Sequence, residues 1–301
     1  MARVLLLDTH SLLFRAHFAL PPMNTVSGQP TAALYGLSVT LLKLLREDRP
    51  LGLAFALDCP VPTFRQAHYA AYKAQRPPIA DALREQLAML PRLIDAFDAP
   101  RFAVPTFEAD DVLATLAKQL EAAGQKTLVV TGDRDLFQII RERVDIMFVG
   151  ARGQPPVIYD RAAIERRYGL RPEQLPSRTA LVGDTSDNLP KVKGIGERGA
   201  SALVRTFGDA RTLLAQVAQV TPARLRDSIE RSAEQILATE ALAKLRDDVP
   251  LPEGPRYAPV SQASLQRVRE LFVELEFKSL LPRVDALLAN SASVSLLSEP
   301  Q

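Results

Sequence analysis

The sequence predicts an α/β fold, a mostly parallel sheet with helices on both faces, followed by a helical C-terminal region. In the first two-thirds of the 301 residues, short apolar runs alternate with amphipathic stretches, the pattern of parallel strands joined by crossover helices. From about Pro172 the strand signal fades and helical periodicity takes over. Three of the apolar runs also end on an aspartate, which matters because sheets of this kind build their sites beyond the carboxyl ends of the strands.

Strands are expected at residues 4–7, 51–57, 126–130 and 144–149. Helices are expected at 31–46, 81–98 and 109–123, with a short one near 135–140. Between Cys59 and Ile79 the alternation breaks. Pro60, Pro62, Pro77 and Pro78 bracket a segment with Arg65, Lys73 and Arg76, no acidic residue, and interleaved Phe64, Tyr69 and Tyr72. Such a segment reads as an exposed, mobile, basic feature. The later helices are expected at 200–207, 223–245 and 265–277, and the Ser-rich end from about 290 as a frayed tail.

Composition narrows the chemistry. With 47% hydrophobic and 24% charged residues the chain is an ordinary globular protein. No apolar stretch reaches the ~18 residues of a membrane span, and Asp8 stops the first apolar run too early for a signal peptide. Three histidines and the single Cys59 are too few for a usual zinc site, and no Ser–His or Cys–His pair suggests covalent hydrolysis. Cys59 reads as a small packing residue. A metal would therefore be held by carboxylates, which selects a hard cation such as Mg²⁺ or Mn²⁺.

The carboxylates are plentiful. Asp8, Asp58 and Asp133 each follow an apolar strand and should converge on one sheet edge. An aspartate there also commonly caps the next helix, so the weight lies in having three in register. Glu108-Ala-Asp110-Asp111 opens a helix, Asp133-Arg-Asp135 adds a close pair, and Gly183-Asp184-Thr-Ser-Asp187-Asn188 adds a third group. So many carboxylates in one place repel unless divalent ions neutralise them, and two such ions can activate water and stabilise a leaving oxygen in phosphodiester hydrolysis. Setting those nine acids aside raises the charge of the remainder from +2 to +11, suited to a surface that meets phosphates.

Gly194-Ile-Gly196-Glu-Arg-Gly199 matches the dinucleotide fingerprint. The polar, Pro-interrupted lead-in Asp187–Lys193 is no buried strand, so a nucleotide cofactor is rejected. Two readings stay open: a simple glycine turn between helices, or a helix–hairpin–helix whose backbone N–H groups meet a phosphate, with Lys191, Lys193 and Arg198 around it.

Taken together, Glu108-Ala-Asp-Asp111, Thr131-Gly-Asp-Arg-Asp135, Gly183-Asp-Thr-Ser-Asp-Asn188, Gly194-Ile-Gly196 and Tyr72-Lys-Ala-Gln-Arg-Pro-Pro78 stand in an order and spacing that resemble the 5′-3′ exonuclease domain of bacterial DNA polymerase I and the flap-endonuclease-like 5′ nucleases. The likeness covers about residues 1–285. It implies a PIN-like nuclease domain over 1–175 with a basic arch at about 60–79, a helical DNA-binding region with the helix–hairpin–helix over 176–285, and a tail over 286–301. It implies metal binding by Asp8, Asp58, Glu108, Asp110, Asp111, Asp133, Asp135, Asp184 and Asp187, holding two Mg²⁺ ions for which Mn²⁺ can substitute. Lys73 and Arg76 would reach the scissile phosphate, and Tyr72 would offer a stacking surface. Arg65, Lys191, Lys193, Gly194, Gly196 and Arg198 would contact DNA; Arg15 is open between a phosphate contact and an ordinary surface arginine.

The expected substrate is DNA with a free 5′ end or 5′ flap, cut during replication and repair. The expected setting is a cytoplasmic, bacterial-type, nucleoid-associated monomer, with no membrane. A DNA polymerase is expected in the same pathway or the same chain, and a K⁺ at the hairpin is left open. Asp111→Asn is expected to abolish cleavage while sparing the fold. Thr9-His10, Ala33 and Glu197-Arg198-Gly199 depart from the usual pattern without removing a carboxylate. The rivals are a non-catalytic structure-specific DNA-binding protein, which should have lost carboxylates, and a PIN-type ribonuclease, which should lack the hairpin region.

Overall fold

A computed structural model describes residues 2–150 and 154–295, with side chains to residue 290. Six strands form one sheet in the order β3-β2-β1-β4-β5-β6: β1 (Val4–Asp8), β2 (Gly52–Ala56), β3 (Arg101–Phe102), β4 (Thr127–Thr131), β5 (Val144–Phe148) and β6 (Val157–Tyr159). All neighbouring pairs are parallel except the last, β5 with β6. The three central strands β2, β1 and β4 are buried along their whole length, which explains their continuous apolar runs: a parallel sheet covered on both faces has no polar side.

Alternate residues divide the two cores. Leu5, Leu7, Leu53, Phe55, Leu128 and Val130 point to one face, covered by α1 (Thr9–Ala19), α2 (Ala32–Asp48) and α4 (Asp81–Phe97). Val4, Leu6, Ala54, Ala56 and Val129 point to the other, covered by α5 (Ala109–Ala122) and Ile164 of α6 (Arg161–Tyr168). Between α2 and α4 lies α3 (Phe64–His68), one short helix in the basic segment.

A third core, with Leu181, Val192, Val204, Leu213 and Ile236 at its centre, belongs to the helical region. It comprises α7 (Leu175–Val182), α8 (Glu197–Phe207), α9 (Ala210–Ala215), α10 (Ala223–Arg231) and α11 (Ala233–Ala243). The single helix expected over 223–245 is thus two, interrupted at Ser232.

The last helices differ more from expectation. Helix α12 (Gln262–Glu274) and α13 (Leu281–Ser295) do not join the helical region. Leu265, Val268, Phe272, Phe277 and Val284 pack into the sheet core beside Leu34 and Phe97, so packing does not follow the expected division at 176–285. The aperiodic tail expected from 286 is helical as far as Ser295, and residues 296–301 lie outside the described residues. Among the described residues no helix is long and apolar enough to cross a membrane.

Candidate active site

Strand order brings the first acids together. β1 lies between β2 and β4, with Leu7 level with Phe55 and Val130, so Asp8, Asp58 and Asp133 leave the sheet side by side. Asp8 is 3% exposed; it caps α1 by accepting from Ser11 N at 3.3 Å and accepts from Thr131 Oγ1 at 2.5 Å. Thr131 Oγ1 in turn accepts from Asp133 N at 2.8 Å. Asp58 accepts from Ala109 N at 2.8 Å, tying the second strand end to the start of α5. Asp110, one residue into that helix, completes the group.

These acids are poorly neutralised. Burial pushes the Asp8 carboxyl up to about 7, opposed by the Thr131 hydrogen bond and reinforced by Asp133 and Asp58. Asp110 is pushed well above the carboxylate range by burial, then by Asp8 and Asp133. Asp135 is pushed up likewise by burial, then by Asp133, Asp187 and Asp184. The sign for stability follows. An acid whose folded pKa lies above its unfolded value favours folding below the unfolded pKa, and that contribution is lost as pH rises through the folded one. Without metal, the melting temperature should therefore fall between about pH 4 and pH 7, and a divalent cation should restore it most at the alkaline end. Thermal melts in chelator and in Mg²⁺ across that range check both; a flat profile would contradict the burial argument.

The basic segment is exposed over residues 74–80, as expected, but Arg65, Tyr72, Lys73 and Arg76 turn onto the acids. Helix α3 is fixed by a capping box between Thr63 and Gln66, and this turns Arg65 inward. Arg65 is 1% exposed and cannot meet DNA, contrary to expectation. Its guanidinium forks onto Asp111 at 2.7 and 2.8 Å, reaches Glu108 at 3.0 Å, and donates to the carbonyls of Leu242 and Lys244. Tyr72 is also buried, at 3% exposure, and offers no stacking face; its hydroxyl lies 3.0 Å from Glu108 and 2.8 Å from Asp187. Lys73 pairs with Glu108 at 2.8 Å and lies 3.8 Å from Asp187. Burial would lower its ammonium, but Glu108 and Asp187 outweigh that and raise it. Arg76 pairs with Asp187 at 2.9 Å.

Asp111 is a second correction. It is fully buried, and besides Arg65 it accepts from Glu108 N at 3.1 Å and Arg246 N at 2.8 Å. Both oxygens are occupied, so it faces the interior and is no metal ligand in this arrangement. The other eight acids divide. Asp8, Asp58, Glu108, Asp110 and Asp133 line a cleft of about 660 Å³ with Arg15, Lys73 and Arg76. Asp135 and Asp184 open on a neighbouring cleft of about 830 Å³. Asp187 is buried against Tyr72 and Arg76.

The third acidic group is set by its backbone. Gly183 has φ +71°, and a Cβ there would lie 2.6 Å from the Leu189 carbonyl, so only glycine allows the loop to close between Asp184 and Leu189. Asp184 accepts from Ser186 N and Oγ, both at 2.6 Å, and from Asp187 N at 3.0 Å. With α7 before this loop, the hairpin with Gly194 at φ +86° after it, and α8 starting from Gly196, the chain makes a helix–hairpin–helix. The space a Cβ would occupy at Gly194 and Gly196 is open, and Lys191, Lys193 and Arg198 are exposed beside them.

Among the described residues no three potential ligands already sit in a metal-binding cage. The donor set nevertheless fits a hard cation: Asp8, Asp110, Asp133 and Asp135 are carboxylates crowded by one another, while the nearby cations Lys73 and Arg76 pair with Glu108 and Asp187. The sequence reading missed α1 altogether, and with it His10, Ser11, Phe14 and Phe18 in the cleft wall. Phe18 is 78% exposed, and such outward aromatics blur the apolar stripe that would have announced a helix. Arg15 donates to the Gly132 carbonyl and lies 5.1 Å from the Phe148 ring centre.

Comparison with known proteins places this geometry. Residues 3–169 match the family described as 5′-3′ exonuclease, N-terminal resolvase-like domain, and residues 170–266 match 5′-3′ exonuclease, C-terminal SAM fold. The chain is 41% identical to the thermostable DNA polymerase I of Thermus thermophilus over 282 residues, 93% of this chain and 32% of that protein. It is 35% identical over 288 residues to DNA polymerase I of Mycobacterium tuberculosis, 95% of this chain and again 32% of the relative. The chain thus spans about a third of the length of these relatives. Among solved structures, zinc-bound T5 5′-exonuclease superposes with a TM-score of 0.65 at 22% identity, covering 90% of this chain and 98% of that one. The catalytic core of Rad2 with DNA superposes at 0.60 and 16% identity, covering 96% and 92%. Matched in order through both its sheet domain and its helical region, the chain belongs to the 5′-3′ exonuclease family.

Proposed function

We propose that this chain hydrolyses DNA phosphodiesters at 5′ ends and at the base of 5′ flaps, with the cut made in the cleft of Asp8, Asp110 and Asp133. The observation that carries the proposal is the group of acids gathered at the ends of β1 and β4 and the start of α5. Among them the buried Asp8 and the half-buried Asp110 and Asp135 are pushed toward protonation by their surroundings and by neighbouring acids. Asp8, Asp110 and Asp133 would hold one divalent ion and Asp135 with Asp184 a second, Mg²⁺ being suited to all-oxygen donors and Mn²⁺ able to substitute. Such ions supply an activated water and neutralise charge on the leaving oxygen. A T5 flap endonuclease related in fold has been solved as a complex with DNA and metal ions, which supports this placement.

The remaining roles fall to the chain itself. The exposed hairpin backbone at Gly194 and Gly196, with Lys191, Lys193 and Arg198, grips duplex backbone without reading sequence. Lys73 and Arg76 stand at the cleft wall; exchanging their carboxylate partners for the scissile phosphate puts two charge-assisted donors on it. That relatives of this chain are named DNA polymerase I supports a setting beside a DNA polymerase.

The test is a 5′-labelled flap incubated with Mg²⁺ and with chelator. Release of the flap only with metal supports the proposal; tight binding without cleavage in Mg²⁺ or Mn²⁺ would favour a non-catalytic binding protein instead. Lys73→Ala should slow single-turnover cleavage about 100-fold with flap affinity changed little. Glu108 keeps Arg65 and Tyr72 in that variant, so an unchanged rate would remove Lys73 from the chemistry rather than report misfolding.

A further inference from the structure

The cleft that holds Asp135 and Asp184 does not end at the hairpin. Its wall residues Arg167, Tyr168, Arg178 and Glu197 also line a further cavity of about 540 Å³, reached past the start of α8, with Arg198 and Arg205 on its far side. One concave track therefore leads from the acidic site, past Gly196, into a pocket walled by four arginines and one glutamate.

This pocket is built rather than incidental. Arg178, only 12% exposed at its side chain, lies 5.2 Å from the Tyr168 ring centre. It is held by Ser201 Oγ at 3.3 Å and by Glu197 at 3.1 Å. Arg167 lies 5.4 Å from the same ring. Arg205 crosses Gly169, whose φ of +66° turns the chain there; a Cβ at that position would come within 3.0 Å of the Arg205 guanidinium. Stacking holds the guanidinium planes. Arg178 already spends Nε on Ser201 and Nη2 on Glu197, and Arg167 Nη1 lies 3.4 Å from the Tyr159 hydroxyl. Phosphate oxygens would therefore be met by the remaining N–H groups, above all those of the exposed Arg167 and Arg205. A single carboxylate among four arginines leaves the pocket strongly positive.

We propose that Arg167, Arg178 and Arg205 form a second phosphate grip, which holds the backbone of the duplex where it continues away from the hairpin. The inference rests on the nuclease reading for its ligand, but its test does not require cleavage. Arg167 and Arg205 are both exposed, so removing them costs the fold little. The Arg167→Ala/Arg205→Ala double variant is compared with the wild type by fluorescence anisotropy in chelator, using a labelled 5′ flap duplex and a matched single strand across a salt series. Arg46→Ala/Arg84→Ala, two exposed arginines outside the track, controls for net charge.

The expected result is about a tenfold loss of duplex affinity and a salt slope shallower by about 2, as for two lost phosphate contacts. Single-strand affinity and the control should stay near the wild type. A duplex affinity and slope matching the control would overturn the grip, and an equal loss on single strand would overturn its assignment to duplex. Failure of the wild type to cleave would sink the nuclease reading alone, because the grip is read from binding.

Discussion

Asp110→Asn should lower flap cleavage by about 1000-fold or more while the metal-free protein melts no lower than the wild type, and Asp111→Asn should do the reverse in stability. The two residues are adjacent in α5 but live in different electrostatic surroundings. Asp110 faces the cleft, where burial, Asp8 and Asp133 all oppose its charge. A neutral isostere there removes repulsion at the same time as it removes a proposed metal ligand. Asp111 is the buried partner of Arg65. Neutralising it takes the forked carboxylate from a buried guanidinium and leaves only the single contact to Glu108, which costs several kcal/mol. The expectation that Asp111→Asn would spare the fold is therefore withdrawn, and Asp110 becomes the informative probe. Single-turnover cleavage and thermal melting of both variants decide the matter. Cleavage by Asp110→Asn within tenfold of wild type would move the chemistry elsewhere.

Arg65→Ala should be the most destabilising single exchange in the basic segment, by about 3–5 kcal/mol. The side chain closes three separate pieces of chain around itself: α3, the start of α5, and the stretch that offers the carbonyls of Leu242 and Lys244 at the end of α11. Its removal strands Asp111 without a cation and leaves two carbonyls short of a donor. Arg65→Lys recovers little, because one ammonium cannot fork onto a carboxylate and reach both carbonyls. Denaturant unfolding with coincident fluorescence and circular dichroism checks the size; a loss under about 1 kcal/mol would mean the network relaxes around a replacement water or ion.

Much of this was legible in the sequence because strands and their ends obey short-range rules. The continuous apolar runs gave β1, β2, β4 and β5 within a residue or two, and the aspartates after three of them leave the sheet side by side because β1 pairs with both β2 and β4. The glycines of the hairpin marked a turn whose open backbone the structure retains. Orientation within a segment was not legible. Arg65, Tyr72, Lys73 and Arg76 look alike as a basic and aromatic stretch, yet two turn inward and two line the cleft edge. That choice is made by partners more than 30 residues away, Glu108, Asp111, Asp187 and Leu242, which no local pattern encodes. The same holds for Asp111, indistinguishable from Asp110 until Arg65 is in place. The destination of α12 and α13 was hidden for a related reason: an apolar stripe states that a helix is covered, not which core covers it.

That destination has a mechanical consequence. Because α12 and α13 return to the sheet, the helical region is hung from the sheet core at both of its ends. One attachment is the short passage from Gly169 to Leu175. The other is the returning segment, where Ala258 exchanges backbone hydrogen bonds with Leu53 at 2.9 and 3.0 Å in an isolated bridge. A body held by one strap can swivel; one held by two loses that freedom. Between the two straps the region is also pinned along its face, by Arg65 on the Leu242 and Lys244 carbonyls and by Tyr72 and Arg76 on Asp187, so the hairpin keeps its azimuth relative to the strand ends. Loosening either strap, by inserting glycines after Gly169 or by breaking the Leu53–Ala258 pairing, would leave that azimuth to the side-chain contacts.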